Sequence, residues 1–467
     1  MAPPSAPPDD VKARLRQLPK VDRLLGRPEV EALTARLGPR LVKGLVQDLL
    51  QRAREEVREQ GGEAPAEDAL VVATVAAGRQ LLNRRARRVI NATGVVLHTN
   101  LGRAPLSRRA VDALAATAGG YSSIELDLVT GRRGARGAFM EVALAQLTGA
   151  EAALVVNNCA AAVLLVLNEL AAGRGVVVSR GEQVEIGGGF RVPEVLARSG
   201  AKMIEVGTTN RTRTRDYARA IDEHDDVAVL LRVHRSNFRQ VGFVEEPPLE
   251  ELSALAKERG LLLVHDLGGG ALVDPAEVGL MGEPVVQDCV GKGADVVCFS
   301  ADKLLGGPQG GVVVGRAELV ERIRKNPLQR ALRLGRLPLV ALEATLESYL
   351  AGEVDAIPAQ AAMRRVPEAV RQRVTRWRED LAARGVAAEV VQVGAQIGGG
   401  TLAEIALASW ALAFDPPDVD GVAQQLRQGE PAVMARIQAG RLLVDGRTVL
   451  DDEQGPLLQA LTAALRA

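Results

Sequence analysis

The sequence predicts an α/β protein with a mostly parallel central sheet covered by helices, preceded by a small helical domain. Three observations carry that expectation. Between residues 150 and 315, seven short apolar runs alternate with segments of helical periodicity. They are ALVVN (153–157), VVVS (176–179), MIEV (203–206), VAVLLRV (227–233), LLLVHD (261–266), DVVCFS (295–300) and VVVG (312–315). Residues 11 to about 60 show helical spacing instead, and GGEAPAED (61–68) breaks the chain between the two regions.

With 467 residues, 47% hydrophobic, the chain is long enough for two or three domains and a large core. Its 58 basic and 58 acidic residues cancel, which removes any global pull toward nucleic acid or a membrane surface. Cys159, Cys289 and Cys298 are too few and too scattered for a disulfide framework, and the four histidines show no ligand spacing, so no metal is expected. No apolar run reaches the ~18 residues of a membrane span. The opening MAPPSAPPDD lacks a charged-then-apolar signal pattern, so a cytoplasmic location is expected, without membrane or DNA partners.

In chain order, residues 1 to about 10 are Pro-rich and expected to be disordered. Leu41, Val42, Leu45, Val46, Leu49 and Leu50 then mark one face of a helix. A further helix is expected from about Glu67 to Arg87. Residues 1–88 hold 17 Lys/Arg against 12 Asp/Glu, and no aromatic residue precedes Tyr121. If this region binds RNA, it reads shape and backbone charge, not stacked bases. A solvated helical bundle with an Arg-rich face fits the composition equally well.

In the alternating region, ligands are expected at the carboxyl ends of the strands. Asn157, Ser179, Asp266 and Lys303 all follow a run and can converge there. Lys303 leaves a buried strand and enters the glycine-rich turn GGPQGG. A desolvated amine there would be nucleophilic, as in a Schiff-base lysine carrying pyridoxal phosphate, PLP. Alone, it also fits a solvated loop lysine. Asp266, followed by three glycines, suits the carboxylate that such a cofactor needs at its ring nitrogen, or a helix N-cap. VVNNCAAAV reads as strand, turn and helix, with Asn158, Cys159 and Ala160 as an anion cradle. Ser300 and, in HRSNF, Ser236 or Asn237 are further cofactor contacts. The triplet Gly187–Gly189 and the carboxylates Glu182 and Glu185 suggest no specific role.

Longer motifs extend the pattern: LPKVDRLL (18–25), VINATGVVLHTNLGRAPLS (89–107), SRGEQVEIGGGFRVP, VGTTNRT (206–212), VHRSNF, VHDLGGG, SADKLLGGPQGG and RIQAGRLLVDGRT. Together they resemble the bacterial selenocysteine synthase family, the L-seryl-tRNA(Sec) selenium transferases, over nearly the whole chain. The sequence departs from the family pattern at Cys159 (Asn is usual), Ala301 (Gly), His265 and Phe238 (Tyr-type aromatics), Gly269 (Ser) and over 398–407. The resemblance implies a fold-type-I PLP-dependent transferase with a smaller α+β C-terminal domain. The implied domains are a tRNA-binding domain at 1–65, a linker helix at 66–88, a PLP-binding catalytic domain at 89–350 and a small domain at 351–467. Lys303 becomes the Schiff-base lysine, while Arg103, Arg330 and Arg333 take the phosphate of selenophosphate. Guanidinium suits such an anion, though Arg330 and Arg333 also fit an i, i+3 pair on a solvated helix. The implied activity converts seryl-tRNA(Sec) to selenocysteinyl-tRNA(Sec) by β-elimination, through an aminoacrylyl intermediate, and selenium addition. A decamer built as a pentamer of dimers is also implied. Two other functions compete: a PLP-dependent lyase or transaminase acting on a small amino or sugar acid without tRNA, and a non-catalytic RNA-binding scaffold. The 1–70 region argues against the first, and the retained Lys303 and Asp266 against the second.

Overall fold

A computed structural model describes residues 9–60, 62–187 and 189–466. The Pro-rich start and Gly188 of the glycine triplet lie outside the described residues. The chain divides into two compact units, 1–88 and 89–467.

The first unit is all helical: α1 (Asp9–Gln17), α2 (Val21–Leu25), α3 (Pro28–Leu37), α4 (Pro39–Gln60) and α5 (Glu67–Asn83). Val42, Val46, Leu50, Ala53 and Val57 are buried, and their spacing of three and four sets them on one face of α4. Leu24, Val30, Leu33, Leu70 and Val71 close over that face in a single core. The sequence expectation made 66–88 a linker helix. Instead α5 is a member of the bundle, because Leu70 and Val71 bury in the same cluster as α3 and α4. Surface ion pairs add to this packing, with Arg27 reaching Asp68 at 2.8 Å.

The second unit contains the strands β1 (Val89–Asn91), β2 (Val95–Leu97), β3 (Ala152–Val156), β4 (Gly175–Ser179), β5 (Glu185–Ile186), β6 (Phe190–Arg191), β7 (Lys202–Val206) and β8 (Val227–Val233). It continues with β9 (Leu262–Gly268), β10 (Val296–Ser300), β11 (Gly311–Gly315), β12 (Glu389–Gly398), β13 (Thr401–Phe414), β14 (Ala432–Met434), β15 (Arg436–Gln438) and β16 (Arg441–Asp445). Each expected run is a strand of one seven-stranded sheet, ordered β3-β11-β10-β9-β8-β4-β7. Pairing is parallel except at β11, which runs antiparallel to both neighbours. Alternate residues feed two cores: Val296 and Cys298 bury on one face of the sheet, Val297 and Phe299 on the other. Both faces are therefore covered, as the near-continuous apolar runs require. Helices α6 (Arg108–Ala118), α7 (Ala138–Thr148) and α8 (Cys159–Ala171) flank the first stretch of this unit. Among the described residues no helix is long and apolar enough to cross a membrane.

A second sheet, β15-β16-β13-β12-β2, occupies the C-terminal part, and β1 pairs in parallel with β14. Residues 89–97 were expected to open the catalytic domain. Their strands instead complete the C-terminal sheets, with Val95 opposite Gln396 and Val89 opposite Ala432. Three-residue strands carry too little pattern to reveal such partners in sequence.

Candidate active site

The carboxyl ends of β3, β8, β9 and β10 share one edge of the large sheet, and the candidate residues gather there. Lys303 follows β10 in a tight turn, closed by bonds from Gly306 N to the Lys303 carbonyl at 2.9 Å and from Gly307 N to the Ala301 carbonyl at 2.8 Å. The side chain is buried, at 5% exposure, so the lysine is not a solvated loop residue. Its Nζ lies 3.8 Å from where a Cβ on Gly268 would stand, and the Ser236 hydroxyl is equally near that point. Lys303 and Ser236 thus meet over the end of β9.

Asp266 is inside β9, not at a helix cap, and is equally buried. Burial pushes its carboxyl up to about 6, opposed by the Lys303 ammonium and by the Cys159 thiol. Cys159 Sγ donates to Asp266 Oδ1 at 3.7 Å. Burial also pushes that thiol well up, so it stays protonated. The expected anion cradle therefore divides. Asn158 caps α8, its Oδ1 accepting from Ala161 N at 2.9 Å. The Cys159 thiol turns to Asp266. What stays available for an anion is the backbone N–H of Cys159 and Ala160 in the first turn of α8. Gly311 of β11 presses on this turn. A Cβ there would stand 2.8 Å from Cys159 N and closer still to the Asn158 carbonyl.

Of the three arginines, Arg103 joins the pocket. Its Nη1 pairs with Asp302, the neighbour of Lys303, at 2.6 Å. It also holds φ at 64°, a conformation rare for a residue with a side chain. Arg333 has its backbone bridged to Val156 at the end of β3, and its guanidinium lies 3.3 Å from Glu125. Arg330 is exposed on the helix Pro327–Leu332, and no described hydrogen bond or ion pair ties it to Lys303 or Asp266.

Glu182 and Glu185 separate. Glu182 is buried and accepts from Val233 N at 2.9 Å while pairing with Arg232 at 3.0 Å, an anchor between strand ends. Glu185 pairs on the surface with Arg191 at 2.7 Å. Two residues near the pocket escaped the sequence reading. His234 follows β8, and Glu283 sits in the loop 279–285. Glu283 is buried and His234 partly so, with His234 Nδ1 and Glu283 Oε1 4.0 Å apart. His234 shared the strand-end signal of its neighbours, whereas Glu283 carried no such signal.

The arrangement provides a buried amine, a buried carboxylate within its electrostatic reach, a helix N-terminus for an anion and an arginine beside them. Ser236 Oγ and His234 Nδ1 are buried and unpartnered among the described residues. Unsatisfied polar atoms in a pocket fit a polar ligand.

A family model described as L-seryl-tRNA selenium transferase matches residues 89–450, and one described as selenocysteine synthase N terminal matches 15–54. The chain is similar to the L-seryl-tRNA(Sec) selenium transferase of Desulfomicrobium baculatum, 47% identical over 96% of this chain and 98% of that protein. The protein of that name from Hyphomonas neptunium is 45% identical, again over 96% and 98%. Among solved structures, D-glucosaminate-6-phosphate ammonia-lyase shares the fold, with a TM-score of 0.57 at 21% identity over 83% of this chain and 97% of that one.

Proposed function

The chain belongs to the L-seryl-tRNA(Sec) selenium transferase family, and on that premise we propose that it makes selenocysteinyl-tRNA(Sec) from seryl-tRNA(Sec) and selenophosphate, with PLP held on Lys303. The observation that carries the reading is the buried Lys303–Asp266 pair with unpartnered Ser236 and His234 beside it. These residues fit PLP: Lys303 for its aldehyde, Asp266 for its ring nitrogen, the Cys159 and Ala160 N–H groups for its phosphate, Ser236 for a further hydrogen bond.

When bound, PLP supplies an electron-accepting ring that acidifies the seryl Cα–H. The chain does the rest. Lys303 takes the Cα proton and returns it. Asp266 stabilises a cationic ring nitrogen, and that cation in turn favours the ionised carboxylate which burial opposes. Arg103, with Arg330 and Arg333, receives the anionic selenium donor. At the β-carbon one C–O bond breaks and one C–Se bond forms. The hydroxyl departs as water, and water cleaves the P–Se bond to release phosphate. Burial of Lys303 and Asp266 limits water at the reacting carbon.

The helical unit 1–88, five positive charges in excess, serves the tRNA, reading a folded surface through its phosphates. The reading carries with it a ring of five dimers and a cytoplasmic location, where seryl-tRNA is found. The test is turnover. Purified protein, PLP, labelled selenophosphate and seryl-tRNA(Sec) are combined, and the amino acid is then released by mild base. Labelled selenocysteine is expected, and recovery of serine alone refutes the proposal.

A further inference from the structure

Glu283 has no role in the chemistry above, yet its surroundings are unusual. The carboxyl is buried in the loop 279–285, and its Oε1 has no hydrogen-bond partner among the described residues. It occupies the space over Gly269, where an added Cβ would collide with Oε1. His234 Nδ1 faces it at 4.0 Å, also buried and unpartnered. One residue away, over Gly268, lies the Lys303 amine. A buried polar atom left without a hydrogen bond opposes folding, so two facing each other are poor structural cement.

We propose that Glu283 is a positioning residue for the Lys303 nitrogen: its carboxylate, across the Gly268–Gly269 turn, favours the protonated form of that nitrogen and orients His234. The inference rests on the reading that Lys303 carries the cofactor. The charges that face Glu283 are consistent with it. Burial lifts the Glu283 carboxyl to about 7, and Lys303 is the charge that pulls it back. The carboxyl therefore gains its charge as pH rises through neutrality. His234 is held down to about 4, mainly by burial, and stays neutral in that range. Cys289, on the helix Val286–Gly291, also feels the Glu283 charge, but its thiol is pushed up to about 12 and does not compete. Asp266 of β9 and the Cys159 thiol of α8 also face Lys303, and Arg232, Arg235 and Glu246 act on His234.

The test uses the full-length, PLP-loaded protein and follows its visible absorbance against pH, since the midpoint reports protonation of the Lys303 nitrogen. Glu283→Gln removes the negative charge, so the midpoint should fall by about one pH unit, a tenfold loss of proton affinity. Glu283→Asp should keep most of the parental midpoint, which a merely space-filling role would not predict. If Glu283→Gln does not fold, Glu283→Met removes the same charge from a side chain of similar length and should lower the midpoint likewise. Parental midpoints in Glu283→Gln, or in Glu283→Met where that variant stands in, overturn the proposal. A parent protein with no visible band at all removes the premise and the proposal with it, so the two failures are distinguishable.

Discussion

Replacing Asp266 by Asn should stabilise the cofactor-free protein, and only above mildly acidic pH. Asp266 is fully enclosed, and its carboxyl sits at about 6. The ordinary aspartate value is ~3.9, so the folded protein holds this proton more tightly than the unfolded chain. A raised acid favours folding fully below ~3.9, and that contribution is lost as pH rises through 6. The difference of about two pH units corresponds to about 3 kcal/mol of destabilisation at pH 8. The Asn side chain never ionises and keeps nearly the same shape. Chemical denaturation of the parent and Asp266→Asn, run in parallel from pH 4 to pH 8, isolates this group, because Glu182 and Glu283 remain in both. The variant should gain stability relative to the parent between pH 4 and 6 and hold a plateau above. A stability difference that does not change with pH would refute the reasoning. So would a parent that outlasts the variant at pH 8.

Lys303→Ala should lose the visible absorbance of bound PLP and all measurable selenium transfer, read by spectrum and by turnover. A chain beginning at Val89 should keep that absorbance but lose tRNA(Sec) retention in a shift assay, whereas full-length binding should weaken as salt rises. The cut belongs at 89 and not near Ala66, because α5 is part of the helical bundle. Gly311→Ala should destabilise the protein by at least about 1–3 kcal/mol, since its methyl meets the backbone of Asn158 and Cys159. Calorimetry would show the lowered Tm, and an unchanged Tm would mean that the start of α8 yields easily.

Sequence pattern made the large sheet legible because its strands are buried on both faces and so read as continuous apolar runs. Val227–Val233 was bounded to the residue, and β9 ran only two residues past the expected end, to Gly268. The reversed direction of β11 left no trace, since apolar runs carry no polarity. The short strands 89–91 and 95–97 were unreadable for a related reason: their partners lie at the other end of the chain. Lys303 was legible as a polar residue past a strand's end and Asp266 as one near it, although β9 runs two residues beyond Asp266. The Cys159 thiol on Asp266 was not, because which way a first-turn side chain points depends on the sheet beneath it. Glu283 was invisible. It precedes a proline in GLMGEPVV, and only Gly269, fourteen positions earlier, makes room for it.

The pairing of Val95 with Gln396 also sets an order of events during synthesis. About 300 residues separate the partners, and at roughly 5–20 residues per second their translation takes some 15–60 seconds. Throughout that interval the segment that runs on from β2 through Thr99–Leu101 to Arg103 has no strand to dock against. The seven-strand sheet, complete by Gly315, can form while the ribosome is still working, but β2, six residues before Arg103, finds its strand partner only after residues 396–398 emerge. A nascent chain halted before that point would hold Lys303 and Asp266 yet leave β2, and the turn that runs from it to Arg103, without a strand partner.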